Sequence, residues 1–198
     1  MSDQSNDNNE QLRAMWDERY GDPEKTPRLA EVLLSNSHLL PAKGNALDLA
    51  CGLGGNAMHL AAQGLDVVAW DLSPVAIQRL QQLAHEKKQP NLKAEVRDVE
   101  RHPPSTDQFE VIVVSYFLER SLIAPLINAL KPGGLIYYQT FIRDAVSSDG
   151  PKNSNFRLAD QELLKLFSKL KIRLYREEGR LGDLSSGIRD VAMLVAEK

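Results

Sequence analysis

The chain has one cysteine in 198 residues. That excludes an intramolecular disulfide framework and suits a reducing, cytoplasmic compartment. There is no basic surplus, because 24 Lys and Arg stand against 27 Asp and Glu for a formal net charge of −3. A general electrostatic footprint for nucleic acid or an anionic membrane is therefore missing. No run of about 18 apolar residues occurs, and no apolar core follows a basic start, so neither a spanning helix nor a signal peptide is expected. Metal-ligand spacing is missing too: His38, His59 and His85 stand apart, and Cys51 has no His or second Cys nearby, so no metal is expected and Cys51 reads as a small packing residue. There is no internal repeat.

What is present begins with 42% hydrophobic residues, enough for a sizeable core in one α/β domain over 11–198. Residues 1–10 are polar and aperiodic and read as a disordered leader. The stretch 46–55, Ala-Leu-Asp-Leu-Ala-Cys-Gly-Leu-Gly-Gly, is an apolar run stopped by glycines and followed by a helix-like segment. It reads as a buried strand, a tight turn and a helix N-terminus. Gly52 and Gly54 permit positive φ and the close approach of a ligand, and the first N–H groups of the helix face it.

Two cofactor classes compete for this turn. From Gly52 the residues also fit the dinucleotide pattern G-x-G-x-x-A, with Asp71 placed downstream where a ribose-binding acid belongs. Asp48 argues the other way, since a carboxylate aimed at the turn repels a pyrophosphate and tolerates a sulfonium. The charge pattern favours S-adenosylmethionine over NAD.

Asp48-Leu49-Ala50-Cys51-Gly52-Leu53-Gly54 resembles the first motif of class I S-adenosylmethionine-dependent methyltransferases. Val67-Val68-Ala69-Trp70-Asp71-Leu72-Ser73 resembles their second, and Leu130-Lys131-Pro132-Gly133-Gly134 the turn before their fifth strand. Trp16-Asp17-Glu18-Arg19-Tyr20 is most similar to the tellurite-resistance and thiopurine methyltransferase group. The resemblance implies a Rossmann-like, mostly parallel seven-stranded sheet of order 3-2-1-4-5-7-6, with helices on both faces and an antiparallel last strand. It implies S-adenosylmethionine as cofactor and S-adenosylhomocysteine as product. It carries cofactor contact onto Asp48, Ala50, Cys51, Gly52, Gly54, Asn56, Asp71, Leu72, Asp98, Val99 and Ser115. Asp71 would hold the ribose and Asp98 the adenine amine. Segment 11–40 would cap the cofactor, with Trp16 and Tyr20 over it and Arg19 on its carboxylate.

Helices are expected over 11–20, 26–37, 56–63, 74–88, 122–130 and 159–170, and strands over 65–71, 92–97, 109–115, 135–141, 171–177 and 189–196. The last two stretches leave no room for a crossover helix and so pair antiparallel. Ser73-Pro74 supplies a helix cap and first residue. Tyr116 and Glu119 fall where these enzymes hold the reactive methyl, and either is a candidate base. The polar insertion 142–157, with Arg143, Asn155, Phe156 and Arg157, is a candidate substrate lid. The expectation is methyl transfer by in-line displacement to a small-molecule acceptor, such as a soft S, Se or Te nucleophile, by a monomer or homodimer. A non-catalytic cofactor-binding module and an NAD-linked oxidoreductase are the alternatives.

Overall fold

The computed structural model describes residues 2–198, with side chains from residue 10. Seven strands form one sheet: β1 Asn45–Leu49, β2 Asp66–Asp71, β3 Leu92–Val96, β4 Phe109–Ser115, β5 Leu130–Phe141, β6 Lys171–Glu177 and β7 Val191–Glu197. Their order is β3-β2-β1-β4-β5-β7-β6, as expected. The first five run parallel, and β7 lies antiparallel between β5 and β6. Because consecutive side chains point to opposite faces, β1 and β4 feed two cores. Leu47, Leu49, Ile112 and Val114 enter one; Ala46, Val111 and Val113 enter the other. All four residues from Val111 to Val114 are fully buried, which is why β4 reads as an unbroken apolar run.

The helices are α1 Ser2–Gly21, α2 Glu31–Leu34, α3 Gly55–Ala62, α4 Pro74–Glu86, α5 Ile123–Ala129 and α6 Glu162–Leu166. Four expectations are corrected. The leader is not unstructured from Ser2 onward: α1 reaches back to that residue, since extending an existing helix needs only one more fixed residue per hydrogen bond. Met1 lies outside the described residues. The helix expected over 26–37 shrinks to α2 and a 3₁₀ turn at Ser37–Leu39, and residues 24–30 run without helix or strand. At the end of that segment and the start of α2, the N–H groups of Ala30 and Val32 bond to the Asn56 and Gln139 side chains, at 2.9 and 2.8 Å, so tertiary docking overrides local propensity. The helix expected over 159–170 is reduced to α6 because its N-cap, Gln161, has φ of +55°, a left-handed conformation that a helix interior cannot hold. The glycine turn at 131–134 falls within the bounds of β5, where the register with β4 shifts.

The carboxyl ends of β1, β2 and β4 lie side by side. That is the edge at which open α/β sheets bind ligands.

Candidate cofactor and acceptor site

At the end of β1 the chain turns sharply. Ala50 has φ of +55°, Gly52 +52° and Gly54 +79°. A methyl group on Gly54 would lie 2.2 Å from the Leu80 side chain, and one on Gly52 would lie 2.9 Å from the Tyr20 hydroxyl. Tyr20 therefore packs directly on Gly52. A methyl group on Gly55, a residue that the sequence reading passed over, would lie 2.1 Å from the Arg28 carbonyl oxygen. The segment Arg28–Val32 is strapped across the start of α3 at that point.

Asp48 is completely buried. One carboxylate oxygen accepts the Ala57 N–H at 2.9 Å and the other accepts the Asn56 amide at 3.4 Å. The side chain thus caps the first turn of α3 from within. A pyrophosphate bound in the dinucleotide manner needs these same helix N-terminal donors, and here one is already taken by a carboxylate. Asn56 also donates to the Ser115 hydroxyl at 2.9 Å, joining β1, α3 and β4. Its side chain is spent on the protein's own groups: the Ala30 N–H, Asp48 and Ser115.

Burial raises the Asp48 pKa from 3.8 to about 7, against the lowering effect of its hydrogen bonds. The folded carboxyl therefore holds its proton more tightly than the unfolded one does. Its contribution to stability is fully present below about pH 4 and is lost as pH rises through about 7, by a few kcal/mol. Denaturant midpoints at pH 5 and pH 8 should show this loss in the wild type and a flatter profile in Asp48→Asn. Equal profiles would contradict it.

Asp71 ends β2 and is 6% exposed. Its Oδ2 accepts the Gly52 N–H at 2.8 Å and its Oδ1 the Ser73 N–H at 2.9 Å. Burial is the largest influence on its pKa, which is raised. An ionised carboxylate has about four lone-pair sites, so this one ties the glycine turn to β2 and retains acceptor capacity. Cys51 is buried, with burial holding its thiol well above the usual range; it packs, and has no nucleophilic character. Leu72 is half-buried between Asp71 and the helix-capping Ser73.

The C-terminal half of α1 is moored to α4. The Ser73 hydroxyl donates to Asp17, which also accepts the Val75 N–H at 3.4 Å. Arg79 donates to the carbonyls of Tyr20, Asp22 and Lys25, at 2.5, 2.9 and 2.8 Å. The Trp16 and Tyr20 rings stack at 5.6 Å, with the Arg19 guanidinium 5.2 Å from the Trp16 ring. Trp16, Arg19 and Tyr20 thus form one stack, and Tyr20 brings it onto the glycine turn. Asp17 lies within the stretch Trp16-Asp17-Glu18-Arg19-Tyr20; nothing in the sequence distinguishes Arg79 from other surface helix residues.

Asp98 follows β3. Its Oδ1 accepts the Glu100 and Arg101 N–H groups at 3.1 and 3.2 Å, and Val99 behind it is in the core. Glu119, the other candidate base, caps the next turn. Its carboxylate accepts the Ser121 N–H and hydroxyl at 2.9 and 2.7 Å as the cap of a 3₁₀ turn. Tyr116 projects instead, half-exposed, from a backbone held at φ of +57°. Its ring lies 5.1 Å from that of Phe141. Its hydroxyl oxygen accepts the Gln139 amide at 2.8 Å, and burial raises its pKa, so the phenol keeps its proton at neutral pH. Gln139 was missed, although a glutamine inside an apolar strand was the available signal.

The insertion 142–157 packs against the same ring. Gly150 touches Phe141, and the Arg157 guanidinium lies 5.5 Å from it. Arg157 also donates to the carbonyls of Ile142, Asp149 and Pro151, and Arg143 to that of Ser154. Both arginines therefore stitch the insertion together. Phe156 is exposed, and the Asn155 carbonyl accepts from Arg120 at 2.6 Å.

The fold is that of solved S-adenosylmethionine-dependent methyltransferases, and residues 46–134 match the family model described as a methyltransferase domain. The chain is 30% identical over 141 residues to a demethylmenaquinone methyltransferase of Clavibacter sepedonicus, covering 64% of this chain and 56% of the relative. It is 28% identical over 139 residues to hemagglutinin 1 of Eikenella corrodens, covering 66% and 45%. It thus spans about half the length of the curated relatives it matches. In three dimensions it superposes on TehB from Haemophilus influenzae with a TM-score of 0.69 at 21% identity, over 92% of this chain and 67% of that one. S-adenosylmethionine is the cofactor of this class. Among the described residues, no helix is long and apolar enough to cross a membrane.

Proposed function

We propose that this protein transfers the methyl group of S-adenosylmethionine to a small-molecule acceptor. The observation that carries the reading is Asp48 capping α3 from within, because it removes a phosphate-binding donor while Asp71 retains acceptor capacity at the neighbouring strand end. The cofactor supplies an electrophilic methyl on a positively charged sulfur. The residues present fit it: Asp71 accepts from the ribose hydroxyls, Asp98 and Val99 border the adenine, and the turn from Ala50 to Gly54 takes the amino-acid portion beneath Tyr20. Trp16 and Arg19 extend that cover, with Arg19 toward the carboxylate, and Ser115 and Tyr116 face the methyl side.

Tyr116 keeps its proton and Glu119 caps a turn, so neither is assigned as a general base. A soft nucleophile such as a thiolate, selenolate or tellurium species suits such a site, since positioning supplies most of the acceleration. The segment 142–157, closed on Phe141, forms the acceptor side, and the single cysteine suits a cytoplasmic setting for a monomer or homodimer. Incubation with S-adenosylmethionine and a panel of thiols, selenite and tellurite should yield S-adenosylhomocysteine in step with a methylated acceptor. Tight binding of both cofactor forms without turnover on any acceptor would instead favour a non-catalytic module.

A further inference from the structure

Gln139 has only one possible amide orientation. Its oxygen accepts the Val32 backbone N–H at 2.8 Å, a group that can only donate, so the NH₂ must face the Tyr116 oxygen 2.8 Å away and the amide cannot be flipped. The Tyr116 oxygen therefore accepts from Gln139, and its own proton is directed elsewhere. The backbone is held as firmly: the Tyr116 N–H donates to the Gln139 carbonyl at 2.7 Å, with φ at +57°. A non-glycine residue in that conformation costs on the order of 1 kcal/mol and persists where the surroundings over-determine it. Two bonds from one buried glutamine thus aim a half-exposed phenol from the end of β4, at the ligand-binding edge of the sheet, as a hydrogen-bond donor. The charged groups that act on this phenol are Arg28 and Glu31, in opposite senses. The Glu31 carboxylate accepts the Ser35 hydroxyl, which leaves its charge in place.

On the reading that this is a methyltransferase, we propose that the acceptor is anionic at its reacting end, recognised by the outward proton of Tyr116, and that Gln139 is the positioning residue that sets the proton's direction. The electron balance agrees. The anion's lone pair forms the new bond to the methyl carbon, the carbon–sulfur bond breaks, and its electrons return to sulfur as a neutral thioether. The acceptor loses its charge and no proton has to leave, so the step needs no base.

The test is binding, which needs no turnover. Protein saturated with S-adenosylhomocysteine is titrated with two matched pairs, 4-nitrothiophenolate against 4-nitroaniline and benzoate against benzamide. The wild type should bind the anion of at least one pair about tenfold more tightly than its neutral partner. Tyr116→Phe keeps the ring and should erase that preference. Gln139→Glu at pH 9 still accepts from Val32, but its carboxylate draws the Tyr116 proton inward, so it should erase the preference too. The S-adenosylhomocysteine affinity of each variant is measured first, and the probes are then titrated with that form saturated. No anion preference in the wild type, binding of no probe, or a preference unchanged in Tyr116→Phe overturns the proposal. Failure of S-adenosylhomocysteine itself to bind overturns the methyltransferase reading on which it rests.

Discussion

Replacing Asp71 by alanine is expected to raise the dissociation constant for S-adenosylmethionine by a hundredfold or more. Hydrogen bonds to a charged acceptor contribute about 1.5–3 kcal/mol each, and the proposed role gives this carboxylate two from the ribose. The loss extends further, because the Gly52 and Ser73 N–H groups now held at 2.8 and 2.9 Å lose their acceptor and the glycine turn loses its tie to β2. Asp71→Asn should be nearly as damaging. An amide has one oxygen for two protein donors and would set its NH₂ against one of them. Titration calorimetry on both variants, with circular dichroism to confirm the fold, measures the effect. An affinity within about threefold of the wild type would remove Asp71 from the cofactor site.

Gly55→Ala should destabilise the protein by about 2–4 kcal/mol, although alanine is the better helix former by about 1 kcal/mol. The added methyl would meet Arg28 backbone atoms at 2.1, 2.3 and 2.8 Å, and backbone cannot rotate aside as a side-chain tip can. The strap must shift, at an overpacking cost of about 1–3 kcal/mol. The bonds from Ala30 to Asn56 and from Val32 to Gln139 then loosen with it. Urea denaturation should show the lowered midpoint, and hydrogen exchange should show faster exchange at Ala30 and Val32. A variant as stable as the wild type would mean that the strap does not pack on the turn as described.

These two positions show what could be read in advance. The place of Asp71 at the end of β2 was legible because strand ends and glycine turns are written locally, in consecutive residues. The same holds for β4, whose bounds follow from an apolar run buried on both faces, and for the C-terminal pair, whose short connection forces antiparallel neighbours. The sheet order came from the family resemblance. Gly55 was illegible because its constraint comes from Arg28, 27 residues earlier in the chain. Gln139 was illegible for a similar reason, as its partners Val32 and Tyr116 lie in separate segments. The helix expected after Pro27 failed where these distant side chains claim its N–H groups. Glu119 sat at a plausible position, but only the coordinates show that its carboxylate caps the next turn.

The central claim is that the turn from Ala50 to Gly54, capped by Asp48 and tied by Asp71, holds S-adenosylmethionine. Calorimetric titration of the purified protein with S-adenosylmethionine, S-adenosylhomocysteine and NAD in parallel tests it most directly. One-to-one binding of the first two, with no heat from NAD, is the predicted result. Binding of NAD alone would contradict the account and reassign Asp71 to the ribose of a dinucleotide.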